Sequence, residues 1–174
     1  MTRRKTILTI GLAVLWYLGG TGGLNGADPQ PPADEPLAII VNKKNPVDNL
    51  AFDDLRNLCL AQRKFWPEGG KVTIVLREQE QPEHDAVLAQ IYRMSESEFR
   101  RYFPQNSFTG EVQSAPKEVA TGTLARRFVF NVPGAIGFVR LADVDESVKV
   151  ISLDGHKPGD PRYKLKVPAK APAR

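Results

Sequence analysis

The feature that most constrains the fold is a change of hydrophobic period near the middle of the chain. Lys71-Val72-Thr73-Ile74-Val75-Leu76 is a compact apolar run rich in β-branched residues, which predicts a buried strand. Ala86, Val87, Leu88, Ile91 and Tyr92 then recur at helical spacing. Between them, Arg77 to Asp85 forms a strand-to-helix junction. Such junctions are natural anion sites, because the first-turn N–H groups of a helix are unpaired and carry partial positive charge. Here the stretch Arg77-Glu78-Gln79-Glu80-Gln81-Pro82-Glu83-His84-Asp85 holds four acids against one strong base.

The same alternation runs along the chain. Leu37 to Asn42 predicts a strand, Asn49 to Ala61 a helix, Lys71 to Arg77 a strand and Glu83 to Arg93 a helix. Ser95-Glu96-Ser97-Glu98 is a capping box in front of Phe99, Tyr102 and Phe103. A further helix is expected to open at Ala115-Pro116-Lys117-Glu118 and to stop at Asn131-Val132-Pro133-Gly134, with strands at Ala135 to Val139 and Val148 to Leu153. Strands alternating with helices imply α/β layering.

The two ends differ from this body. Arg3, Arg4 and Lys5 precede an apolar run from Thr6 to Leu18, shorter than the roughly 20 residues that span a bilayer. Residues 1–26 are therefore expected to be a cleavable export signal, and residues 27–36, crowded with proline and acid, a linker to a domain over 37–155. Residues 156–174 carry six Lys/Arg against one acid and are expected to form a basic, disordered tail. The signal takes three more basic residues, which leaves 15 basic against 19 acidic residues over 27–155. An acidic body argues against a nucleic-acid partner, whose binder should cluster its basic residues on the folded surface. Membrane contact is then expected only through an uncleaved signal or the basic tail.

Cys59 is the one cysteine, so no internal disulfide is available and a packed core must supply stability. It lies beside Leu55 and Leu58 on an apolar helical face and is expected to be a small buried hydrophobe. Asn45-Pro46 is a turn signal, Trp66 is expected to plug an edge of the domain, and Gly134 and Gly137 flank a strand start where backbone must approach another chain segment or a ligand.

Three pieces in order carry a resemblance: Ile40-Val41-Asn42-Lys43-Lys44-Asn45-Pro46-Val47; Leu55-Arg56-Asn57-Leu58-Cys59-Leu60 with Trp66-Pro67-Glu68-Gly69; and Pro133-Gly134-Ala135-Ile136-Gly137-Phe138-Val139. Together they resemble the phosphate-type substrate-binding proteins of ABC transporters. The resemblance implies a single periplasmic-binding-protein-like lobe, a central mixed β-sheet flanked by helices, where full members have two lobes. It also implies an exported protein, periplasmic or extracellular, that binds phosphate or another small solute and works with a transporter permease or a second lobe in trans.

In that family the junction carries an arginine followed by a Ser-Gly-Thr segment that holds phosphate. Arg77 matches the arginine, and Gln81, Pro82 and Glu83 stand at the other three positions. Pro82 has no N–H to give, and Glu83 places a carboxylate where an oxyanion would sit. The candidate ligand-binding residues are therefore Arg77, Gln81 and Glu83, in a loop that looks degenerate for phosphate. The alternative is an extracytoplasmic interaction or scaffold protein that keeps the lobe without a small ligand. No nucleophile elbow, dinucleotide loop or phosphate-binding lysine loop is present, so no enzyme, catalytic residue or cofactor is expected. His84 with Glu80, Glu83 and Asp85 does not make a metal site by adjacency alone, since neighbouring residues on one turn point apart.

Overall fold

The computed structural model describes residues 34–108 and 115–169. The expected signal over 1–26, most of the linker and the last five residues lie outside them. β1 (Glu35–Val41) is the central strand, and its successive side chains alternate between two cores as the pleat requires. Leu37, Ile39 and Val41 join one cluster, Ala38 and Ile40 the other.

β3 (Thr73–Arg77) lies between β5 (Ala135–Arg140) and a short edge strand, β4 (Lys117–Val119), and is parallel to both. β1 runs antiparallel to β5, with Leu37 opposite Arg140, and on its other side pairs with β6 (Lys149–Val150) and β8 (Lys166–Val167). The sheet is mixed, in the order β4-β3-β5-β1-β6. β2 (Asn49–Leu50) and β7 (Ser152–Leu153) form a separate parallel pair.

One face of the sheet is covered by α1 (Phe52–Cys59), α2 (Pro82–Val87) with its π-helical continuation Leu88–Tyr92, and α3 (Glu96–Phe108). The other is covered by α4 (Gly122–Asn131), through Ala125 and Val129. The capping box forms as its sequence requires: the Ser95 N–H donates to Glu98 Oε2 at 2.7 Å. Ala115 to Glu118 does not open a helix. Pro116 precedes the edge strand β4, and α4 starts after Thr121, whose hydroxyl accepts from the Leu124 N–H at 3.1 Å.

The resemblance-bearing motifs are structural. Asn42 Nδ2 donates to the Val129 and Phe130 carbonyls at the end of α4, and Asn45 Oδ1 accepts from the Val47 N–H in a side-chain-closed turn. Buried Trp66 donates through Nε1 to the Gly134 carbonyl at 3.1 Å. A Cβ on Gly134 would stand 2.0 Å from the Lys71 carbonyl oxygen, so the close approach there is to another chain segment.

The basic tail is corrected at its near end. Tyr163, Leu165 and Val167 are buried, the Tyr163 hydroxyl donates to the Leu37 carbonyl at 2.8 Å, and the Leu37 N–H donates to Leu165. Residues 156–169 therefore belong to the lobe. The charges on Lys164 and Lys166 alternate outward from an apolar row that pairs against β1.

Candidate functional site

The carboxyl ends of β4, β3 and β5 lie side by side, which is where open parallel sheets place their ligands. Arg77 is the last residue of β3. The chain leaves it through a tight turn in which Glu80 takes a left-handed conformation (φ 65°), and Gln81 stands at the N-cap of α2. Pro82 fits the first helical position, where no N–H is needed. The three residues singled out in the sequence do come together. Arg77 Nη2 donates to Gln81 Oε1 at 3.0 Å, and Arg77 Nε lies 4.0 Å from Glu83 Oε2.

Glu83 does not sit as an exposed first-turn acid facing the helix dipole. Its side chain turns inward and is only 9% exposed, and Arg140 Nε, from the end of β5, donates to its Oε1 at 2.7 Å. Arg140 also donates from Nη1 to Glu35 Oε2 at 3.0 Å and to the Pro168 carbonyl at 2.9 Å. Burial opposes the charge on Arg140, but the hydrogen bonds to Glu35 and Glu83 outweigh it and hold the guanidinium more firmly protonated than usual. Of the four acids in the stretch only Glu83 is buried; Glu78, Glu80 and Asp85 face solvent.

Behind this pair lies a second layer. His84 is fully buried; its Nδ1 donates to the Arg77 carbonyl at 2.8 Å, and its Nε2 lies 2.9 Å from Glu96 Oε2. Because the carbonyl can only accept, Nδ1 must carry the proton in that hydrogen bond. Arg100 completes the layer by donating to Glu96 at 3.1 Å and Gln79 at 2.6 Å. Arg77 Nη1 is buried with no hydrogen-bond partner among the described residues.

Arg140 and Glu35 were not among the expected site residues. The one signal for Arg140 is an arginine closing an otherwise apolar strand, Ala135 to Val139. Glu35 falls in the segment expected to be linker, although it is the first residue of β1.

No protein-family profile matches the chain. Among solved structures it superposes on an ABC-type phosphate transport receptor from Vibrio cholerae, with 24% identity and a TM-score of 0.60, covering 78% of this chain and 55% of that one. A putative phosphate ABC transporter substrate-binding protein with bound phosphate, from Clostridium perfringens, gives 21% identity, a TM-score of 0.63 and coverage of 78% and 54%. The fold is that of the phosphate-type substrate-binding proteins. PstS from Borrelia burgdorferi, at 12% identity and a TM-score of 0.63, covers 80% of this chain and 57% of its own. The chain thus spans little more than half the length of the substrate-binding proteins it matches, and the likeness drawn from the three motifs holds at the level of the fold. The matched proteins are named as transport receptors and binding proteins, not as enzymes. Among the described residues, no helix is long and apolar enough to cross a membrane.

Proposed function

We propose that the protein is an exported, periplasmic or extracellular, solute-binding-like lobe of the phosphate-transport type whose junction site is filled by its own carboxylate and does not carry phosphate. One observation carries this: Glu83, buried at the carboxyl ends of β3 and β5, accepts from Arg140 at 2.7 Å and lies 4.0 Å from Arg77. A carboxylate offers the charge and acceptor oxygens of an oxyanion, so it hydrogen-bonds Arg140 and sets a counter-charge beside Arg77, two groups that would otherwise attract one. An incoming phosphate would meet Glu83 as a like charge. At about 4 Å and the effective dielectric of a protein surface that repulsion is worth roughly 4 kcal/mol, or about a thousandfold in affinity. Export rests on the basic-then-apolar pattern of residues 1–26. Arg77, Gln81 and Glu83 contact one another here, which also favours the second reading, an extracytoplasmic interaction or scaffold protein that retains the lobe without binding a small ligand.

Calorimetric titration with phosphate tests the proposal. No heat of binding is expected at micromolar phosphate, and micromolar or tighter binding would overturn it. Pro82→Gly combined with Glu83→Thr restores an amide and a hydroxyl and removes the carboxylate beside the two arginines, so weak phosphate binding is expected to appear in that variant. No gain in a variant that still folds would place the cause outside this loop.

A further inference from the structure

The strand that ends in Arg77 begins beside an open cavity of about 280 Å³ at the opposite end of the sheet. Half-buried Ala61, Val72 and Pro116 give it an apolar lining, alongside Leu58, Cys59, Ile74 and Phe103, which are buried. Among the described residues, the rest of its wall carries Arg63, Lys64, Lys71 and Lys117 and no carboxylate. In a body with an excess of acid, that concentration of one sign is not an average of the surface.

Backbone pairing fixes these cations in place. Lys64 and Lys71 belong to a small antiparallel ribbon, in which Phe65 bridges Lys71 and the Val72 N–H donates to the Lys64 carbonyl at 2.9 Å. Lys117 opens β4 opposite Val75 of β3. Arg63 has a counter-charge in Asp54 at 3.1 Å. Lys64, Lys71 and Lys117 have none among the described residues; the lysines there that do pair with carboxylates are Lys149 and Lys164, in other parts of the fold. Like charges held together without a counter-ion repel, and an anion placed among them removes that repulsion.

We propose that this cavity binds a small amphiphilic anion, a medium-chain carboxylate whose hydrocarbon lies on Ala61, Val72 and Pro116 and whose head group meets Lys64, Lys71 and Lys117. The volume sits just below the roughly 300–1,000 Å³ of drug-sized ligand sites, which suits a short chain rather than a whole lipid. Inorganic phosphate would leave the apolar lining unused, and a neutral hydrocarbon would leave the lysines unmet. The inference is independent of the junction at Arg77.

The test is a calorimetric titration of the full chain with sodium octanoate, 1-octanol and phosphate in parallel. Octanoate is expected to saturate a single site, to weaken as salt is raised, and to bind at least about tenfold more tightly than octanol, with no competition from phosphate. Lys71→Glu with Lys117→Glu should lower octanoate affinity at least about tenfold. Ala115→Trp, which adds bulk at the exposed mouth, should abolish binding. If the double variant folds poorly, Lys71→Gln alone is expected to reduce the salt dependence. Absence of octanoate binding, equal binding of octanol, or unchanged affinity in the lysine variants would overturn the proposal.

Discussion

The two ends of β3 handle positive charge in opposite ways. At its carboxyl end Arg77 and Arg140 are buried and neutralised from within, by Glu83 and Glu35. At its amino end Lys64, Lys71 and Lys117 surround an open cavity and have no carboxylate partner among the described residues. The first arrangement is structural: desolvated charges hold the sheet end closed and would be costly to separate. The second contributes little to folding, since exposed charges interact weakly through water. An arginine at such a junction is therefore weighed by whether the chain already supplies its counter-ion, as Glu83 does beside Arg77 and Arg140.

The sharpest way to break this contrast is to remove the internal counter-ion. Glu83→Ala leaves Arg140 and Arg77 buried beside an empty space, and the expected cost is about 3–5 kcal/mol in urea unfolding. If Glu83 stands in for a ligand, external acetate should restore part of that stability in the variant and do nothing for the parent. A loss below about 1 kcal/mol would place Glu83 with the exposed ion pairs and erase the difference between the two ends.

A smaller effect is expected one layer behind. His84→Leu removes the donor to the Arg77 carbonyl and the contact with Glu96, and leaves a buried acceptor unmet. The cost of such a group is about 1–3 kcal/mol. Unfolding of the variant should show this loss, and a neutral outcome would mean that water reaches the carbonyl and that the junction is less sealed than its burial implies.

Much of the lobe could be read along the chain because its signals are local. The β-branched run of β3, the capping box at Ser95 and the Asn45-Pro46 turn each declare themselves within a few residues. β4 could not, since a three-residue edge strand, Lys117-Glu118-Val119, is too short to show a period. The Glu35–Arg140 ion pair could not either: the two residues are brought together by the register of β1 on β5, which places Leu37 opposite Arg140. The C-terminal segment was legible in principle. Tyr163-Lys164-Leu165-Lys166-Val167 alternates apolar and basic residues, the period of a half-buried strand, and its charge drew attention away from that pattern.

The smallest effect is the one that most sharpens the contrast. Lys71 and Lys117 are exposed and without carboxylate partners among the described residues, so Lys71→Glu and Lys117→Glu are each expected to change stability by no more than about 0.5 kcal/mol. The sign should be favourable if anything, because each substitution relieves repulsion within the cluster and gives the remaining lysines a counter-charge. That gain should fade as salt is added, since exposed charges are screened over about 10 Å at 0.1 M ionic strength. Urea unfolding at low and high salt measures both points. A destabilisation of 1 kcal/mol or more, independent of salt, would show that the lysines hold the fold together as Arg140 does, and the amino end of β3 would then be a second closed site rather than an open one.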